Sequence, residues 1–320
     1  MTDFLYLILG VALLTAGGEA LIRGSLGAAK RLGVSPLFSG IVIVGFGTSA
    51  PELVVSVDAA LNLRPDIAIG NVVGSNIGNI LLILGICGLI TPLAVKPLAL
   101  SRDAVTVVAA SMMFVFLARG GALGGGDAAI LLFALMAYLI LTYWTERFNS
   151  APSATLHLAE AEELSVVPKT TSWITITISA GLVLLIGGSK VLLTGAVGIA
   201  EQFGVSQAVI GLTLIAVGTS LPELSISVIA ALRKHADVAV GSILGSNIFN
   251  LLGILGVSAL LQPLVVPVRI LEFDQWVMAG TSLLLLLFLY NGRSLGRLEG
   301  GILLSGYVAY VALSFTVFSG

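Results

Sequence analysis

Apolar residues run through the chain in stretches of about 20, the length at which a helix spans a bilayer, and polar or helix-breaking residues separate them. Ten spans are predicted: 4–24, 35–61, 67–91, 101–118 and 127–145, then 173–195, 206–232, 237–261, 273–290 and 298–318. The breaks carry turn chemistry, as at Leu32-Gly33-Val34-Ser35-Pro36, Arg64-Pro65-Asp66, Gly120-Gly121, Gly124-Gly125-Gly126 and Asn291-Gly292. The first run, Phe4 to Ala16, has the length of a secretion signal. It follows Asp3 rather than a basic region, and Glu19 and Arg23 continue a helical pattern, so it is assigned as the first span.

An internal repeat organises these spans. Residues 33–92 align with 204–263 at a constant offset of 171, without a gap, and 29 of the 60 positions are identical. Each half holds five spans, an odd number, so the second half enters the membrane from the opposite side. The expected fold is therefore an all-α polytopic membrane protein of ten transmembrane helices in two inverted five-helix repeats. The expected domains are 1–145, a linker loop over 146–172, and 173–320. Inverted repeats are common among secondary transporters, which bind substrate where the halves meet.

Composition agrees with this picture. Hydrophobic residues make up 57% and charged residues 10%, against roughly 25% charged in soluble domains, and mean hydropathy is +1.09. A net charge of −2 gives no basic surface for nucleic acid, and the single Cys87, in an apolar run, reads as packing. Arg23, Lys30, Arg31, Lys96, Arg102, Arg147, Lys169, Arg233, Lys234, Arg293 and Arg297 fall in the loops after odd-numbered spans, and only Arg64, Arg119, Lys190 and Arg269 fall on the other side. Eleven against four puts the first set, with the 146–172 loop, in the cytoplasm and both termini outside. With no organelle signal, this suggests a prokaryotic plasma membrane. The linker's Glu160, Glu162 and Glu163 read as a solvated acidic stretch rather than a regulatory cation site.

The identities concentrate on polar residues inside apolar spans. One copy reads Gly47-Thr48-Ser49-Ala50-Pro51-Glu52-Leu53 and Gly74-Ser75-Asn76-Ile77-Gly78-Asn79; the other reads Gly218-Thr219-Ser220-Leu221-Pro222-Glu223-Leu224 and Gly245-Ser246-Asn247-Ile248-Phe249-Asn250. A carboxylate at mid-membrane costs at least ~2.5 kcal/mol, so Glu52 and Glu223 are functional candidates. Proline after glycine breaks a helix and frees carbonyls that can bind a cation if they face a cavity. A spacing of four puts Thr48 with Glu52, and Ser75 with Asn79, on one helix face. The donor set is all oxygen, which suits hard cations such as Na⁺ and Ca²⁺. Two ionised carboxylates match one Ca²⁺ or two Na⁺, and the empty pair is expected to take up protons.

These paired segments resemble the alpha repeats of the cation/calcium antiporter superfamily, which contains the sodium/calcium exchangers, and the resemblance covers the whole chain. It implies ten helices, alternating access, and Na⁺ and Ca²⁺ competing for overlapping sites. By position, Glu52 and Glu223 resemble the shared ligands of both ions. Thr48, Thr219, Ser49 and Ser220 resemble flanking ligands, partly through their carbonyls; Ser75, Ser246, Asn79 and Asn250 resemble ligands on the facing helices. Potassium-dependent relatives carry Asp where this chain has Asn250, which disfavours a potassium requirement. Proton-coupled relatives carry Gly-Asn-Ala-x-Glu in place of Gly-Thr-Ser-x-Pro-Glu, so Na⁺ is the expected counter-ion and H⁺ the runner-up. No cofactor beyond the transported ions and no obligate protein partner is expected.

Other functions fit less well. No histidine lies in a span to serve a Ser49–Glu52 dyad, and no Walker sequence supports ATP-driven pumping. A cation channel shares the oxygen-rich chemistry and is the closest rival. Among lesser candidates, Asp66 and Asp237 read as helix caps, and Asp58 should face away from Glu52. Glu19 and Lys190 are expected to form interfacial or interhelical pairs. His157 and His235 should be solvated, and Trp173, Tyr143 and Trp144 suit an interfacial belt. Gly10, Gly17, Gly18, Gly181, Gly187 and Gly188 are expected to give spans 1 and 6 smooth faces along which the repeats slide.

Overall fold

The computed structural model describes residues 2–33, 45–94, 98–149, 168–292 and 294–316. In the first half, α1 is Thr2–Arg31, α2 Ala50–Leu61, α3 Pro65–Ile90, α4 Leu98–Leu117 and α5 Gly125–Asn149. In the second, α6 is Thr171–Phe203, α7 Gln207–Thr219, α8 Leu221–Leu232, α9 Ala236–Leu261, α10 Gln275–Gly292 and α11 Arg297–Thr316. Among the described residues, eight helices are long and apolar enough to cross a membrane, or nine if α7 and α8 count as one span. The expected span 35–61 is described only from residue 45, and of the 146–172 linker, with His157, residues 150–167 lie outside the described set. Helices α1 and α6 outrun their predicted spans, because the amphipathic residues after 24 and 195 continue the helix to Arg31 and Phe203.

The hydropathy pattern holds no trace of two short antiparallel ribbons. Leu93–Ala94 (β1) pairs with Ser294–Leu295 (β4), and Ala122–Leu123 (β2) pairs with Leu264–Val265 (β3). Two-residue strands are too short to leave a periodicity. They nonetheless fix directions. Since β1 and β2 flank opposite ends of α4, the ribbons lie at opposite ends of the bundle. Helix α3 ends at the first ribbon and α9 at the second, so these repeat counterparts run in opposite directions.

Contacts between residues 171 apart mark where the halves meet. Ser111 and Ser282 pair across α4 and α10 at 3.2 Å, and Asn247 donates to the carbonyl of its counterpart Asn76 at 3.2 Å. Self-complementary contacts of this kind arise at a two-fold relation. Each half also carries a polar clasp that the sequence reading missed. Arg102 donates to Asp103, which accepts from Tyr138, while Arg269 binds Asp274 through two nitrogens and Tyr310 donates to the same carboxylate. Asp103 and Asp274 are again 171 apart.

Helices α1 and α6 form a closely packed pair. A Cβ at Gly10 would sit 2.6 Å from the Leu192 backbone, one at Gly17 2.8 Å from Leu185, one at Gly181 2.8 Å from Leu21, and one at Gly188 2.9 Å from Leu13. Four of the six glycines expected to face the sliding repeats thus join α1 to α6. Only Gly18 faces the site segments, 3.4 Å from Pro51, and Gly187 has open space. The reason is steric, since glycine permits backbone contact between two helices. Other expectations also need correction. Glu19 pairs with Arg23 one turn along its own helix, and Lys190 is exposed. Asp66 and Asp237 lie within the first turns of α3 and α9, where they complement the helix dipole, while Arg64 and His235 occupy the cap positions. Asp58 does face away from Glu52, accepting from Ser189 of α6 at 2.8 Å. His235, Trp144 and Trp173 are exposed, and Cys87 is buried and free.

Candidate cation-binding site

Pro51 and Pro222 stand at the second residue of α2 and α8, where a missing N–H costs nothing. The capping residues two positions earlier, Ser49 and Ser220, adopt nearly the same non-helical backbone, φ −84°, ψ 12° and φ −82°, ψ 13°. In the second half this break bends the chain by 50° between α7 and α8. The expected continuous face from Thr48 to Glu52 is therefore absent: the helix stops at the Thr-Ser pair, and each glutamate sits in the first turn of a new helix. That position also sets each carboxylate at the positive end of a helix dipole.

Glu52 and Glu223 are both fully buried. Each binds the serine of the opposite half. Ser220 donates to Glu52 Oε1 at 2.8 Å, and Ser49 donates to Glu223 Oε1 at 2.9 Å. Ser49 thus serves the other half's carboxylate, which removes it as the partner of Glu52 in a dyad. Ser246 adds a second donor to Glu223 Oε1 at 3.3 Å, and Thr48 reaches Ser246 at 3.4 Å. Ser75, the counterpart of Ser246, turns instead to the Ala216 carbonyl at 3.5 Å. On the central helices, Asn79 donates to Asn247 Oδ1 at 2.9 Å.

All ten predicted residues are buried, and nine of them take part in hydrogen bonds, that of Asn79 lying apart from the carboxylates; Asn250 contributes no hydrogen bond of its own. The second carboxylate oxygens of Glu52 and Glu223, together with Oδ1 of Asn76, Asn79 and Asn250, are buried without a donor. Unsatisfied buried acceptors are costly and call for an explanation. Among the described residues no three His, Cys, Asp or Glu side chains are grouped so that they could hold a metal ion. A cation held here would rest on two carboxylates supplemented by amide, hydroxyl and carbonyl oxygens, a donor set for Na⁺ or Ca²⁺. The α3 and α9 helices widen into π-helical turns at Asn79–Leu84 and Phe249–Ile254, beside these amides, as helices often do at functional sites.

Comparison with known proteins decides the lineage. The family model described as sodium/calcium exchanger protein matches residues 2–144 and 173–316. The chain belongs to the sodium/calcium exchanger family. It is 39% identical over 317 residues to CaxA of Alkalimonas amylolytica, covering 98% of each chain. The sodium/calcium exchanger MaX1 of Methanosarcina acetivorans is 32% identical over 349 aligned residues, 98% of this chain and 99% of that one. The solved sodium-calcium exchanger NCX_Mj superposes with a TM-score of 0.65 at 29% identity, over 97% of this chain and 98% of that one. As a member of the sodium/calcium exchanger family the chain is a multi-pass integral membrane transporter and not an enzyme.

Sequence reasoning missed three features of this exchanger's site. Asn71 ties the two halves together, and no identity flagged it because its counterpart is Ser242. Phe46 and Phe249 stack with centroids 4.4 Å apart beside the second motif. Their counterparts, Val217 and Gly78, leave a cleft lined also by Gly74, Leu82, Ser220 and Leu224. The doubled motif's glycines, finally, seat side chains of α1: a Cβ at Gly47 would meet Ile22 at 2.6 Å, and one at Gly218 would meet Val11 at 2.7 Å.

Proposed function

We propose that the protein is a secondary active antiporter exchanging Na⁺ for Ca²⁺ by alternating access, with both ions taken in turn between Glu52 and Glu223. The observation that carries this reading is the pair of fully buried carboxylates, each bonded to a serine of the opposite half through one oxygen and left with a second oxygen free of donors. Two such charges demand a cation between them. Thr48, Thr219, Ser49, Ser220, Ser75, Ser246, Asn79 and Asn250 complete the ligand set through hydroxyl, amide or main-chain oxygens. The relatives MaX1 and NCX_Mj, a sodium/calcium and a sodium-calcium exchanger, support the choice of ions.

On this reading the chain has ten membrane helices in two inverted repeats, 1–145 and 173–320, joined by a cytoplasmic linker at 146–172. The opposed directions of α3 and α9 and the contacts between residues 171 apart support the inversion. The bias of Lys and Arg supports a plasma-membrane location with both termini outside. Cation loading neutralises the two carboxylates, and the closely packed α1–α6 pair then moves as a unit across the motif segments.

The test is uptake of radiolabelled Ca²⁺ into proteoliposomes loaded with Na⁺, K⁺ or neither, with and without a pH gradient. Uptake that requires internal Na⁺ is expected. Uptake driven only by the pH gradient would transfer the protein to proton-coupled exchange, and current beyond any carrier rate would make it a channel.

A further inference from the structure

Asn71 lies in α3, buried, one helix away from both glutamates, and every polar atom of its side chain is engaged. Its Nδ2 donates to the main-chain carbonyl of Glu52 at 3.3 Å and to Ser56 Oγ at 3.0 Å, and its Oδ1 accepts from Thr219 Oγ1 at 3.1 Å. One amide therefore fixes the turn that carries the first carboxylate and the threonine beside the second. Thr219 has a single hydroxyl proton, shared between Asn71 and the Ala216 carbonyl at 3.2 Å. Its counterpart Thr48 is unconstrained in this way and points its hydroxyl to Ser246, which donates in turn to Glu223.

The other half has no equivalent. Position 242 is serine, whose side chain is shorter and has no amide to bridge two groups as Asn71 does, and Ser227, the counterpart of Ser56, is buried with its hydroxyl unpartnered. The two halves thus share ligand types but not the groups that hold them.

We propose that Asn71 is a positioning residue that makes the two halves of the site inequivalent: it holds the Glu52 turn rigid and draws the Thr219 hydroxyl away from the cation. This rests on the exchanger reading above. Ca²⁺ gathers six to eight oxygens, and the rigidity of a site tunes its affinity. Na⁺, singly charged, gains less from two fixed carboxylates. Asn71 therefore favours Ca²⁺ over Na⁺, as partners that orient metal ligands commonly do.

The experiment measures Na⁺-dependent Ca²⁺ uptake in proteoliposomes for the wild type, Asn71→Ser, Thr219→Val and the double variant. Asn71→Ser gives the first half the residue found in the second. It is expected to raise the half-saturating Ca²⁺ concentration about tenfold, the low end for lost outer-shell partners, with the half-saturating Na⁺ concentration changed by less than about twofold. Thr219→Val should remove part of the same effect, and the double variant should fall short of the product of the single effects. Unchanged Ca²⁺ and Na⁺ dependence in Asn71→Ser overturns the proposal. So does an equal loss for both ions, or full multiplicativity with Thr219→Val, since either marks a residue that only supports the fold. Should Asn71→Ser fail to fold, Ser56→Ala frees one Nδ2 proton of Asn71 and is expected to give a smaller Ca²⁺-selective shift; no shift overturns the proposal as well. A wild type without Na⁺-dependent uptake sinks the exchanger reading instead, which keeps the two failures apart.

Discussion

Glu52 and Glu223 sit in segments that read almost alike, Gly-Thr-Ser-x-Pro-Glu-Leu in both, yet their surroundings differ. Glu223 accepts two hydroxyls on one oxygen and Glu52 accepts one. The turn of Glu52 is pinned by Asn71, and the corresponding place beside Glu223 holds Ser242. Phe46 and Phe249 stack, whereas their counterparts, Val217 and Gly78, leave a cleft. Even the motif glycines are used unequally. Ile22 and Val11 correspond to Leu193 and Leu182 of α6, but both glycines take their neighbour from α1. Duplication fixes which ligands are present; the residues that differ between copies fix how each half is held.

The largest effect that would break this comparison is loss of a carboxylate. Glu52→Gln and Glu223→Gln should each lower Na⁺-dependent Ca²⁺ exchange by about a hundredfold or more, since removing one member of a buried charged set costs ~3 kcal/mol. Uptake in proteoliposomes checks this, and wild-type exchange in either variant would remove that glutamate from the site. Next is the aromatic stack. Phe249→Ala removes a ring present in only one half and should lower the stability of the detergent-solubilised protein by about 2 kcal/mol, read as a drop in thermal midpoint. A midpoint unchanged from the wild type would mean that the stack adds nothing to the packing that distinguishes the halves. The smallest effect compares two serines. Ser56→Ala loses a bond to Asn71 and should cost about 0.6 kcal/mol, as interhelical hydrogen bonds in membranes do. Ser227→Ala removes a hydroxyl that has no partner and should be neutral or slightly stabilising. Equal effects in denaturant unfolding would erase the inequality between the halves.

Much of the fold could be read from the sequence because the bilayer imposes a strong rule on it. Apolar stretches gave the helices, and the 171-residue repeat pointed to the residues at the centre, where polarity inside a span is otherwise unexplained. Identity between copies is also a blind spot. It selects what both halves share, and so passed over Asn71, Phe46 and Phe249, whose value lies in having unlike counterparts. Helix periodicity misplaced Thr48, because proline converts the expected continuous face into the start of a new helix. The glycines of α1 and α6 were visible as small residues, but composition does not say which neighbour a small residue faces. Nor could spacing reveal that Ser49 and Ser220 cross to the opposite carboxylate, a contact set by how the halves are joined.

The central claim is that one cavity between Glu52 and Glu223 takes Ca²⁺ and Na⁺ in turn. Equilibrium binding of radiolabelled Ca²⁺ to the purified protein, titrated with Na⁺, tests it most directly. The account predicts that Na⁺ displaces Ca²⁺ completely and competitively, and that Glu52→Gln and Glu223→Gln each abolish the displaceable binding. Ca²⁺ that stays bound at saturating Na⁺, or that binds undiminished to both variants, would contradict it.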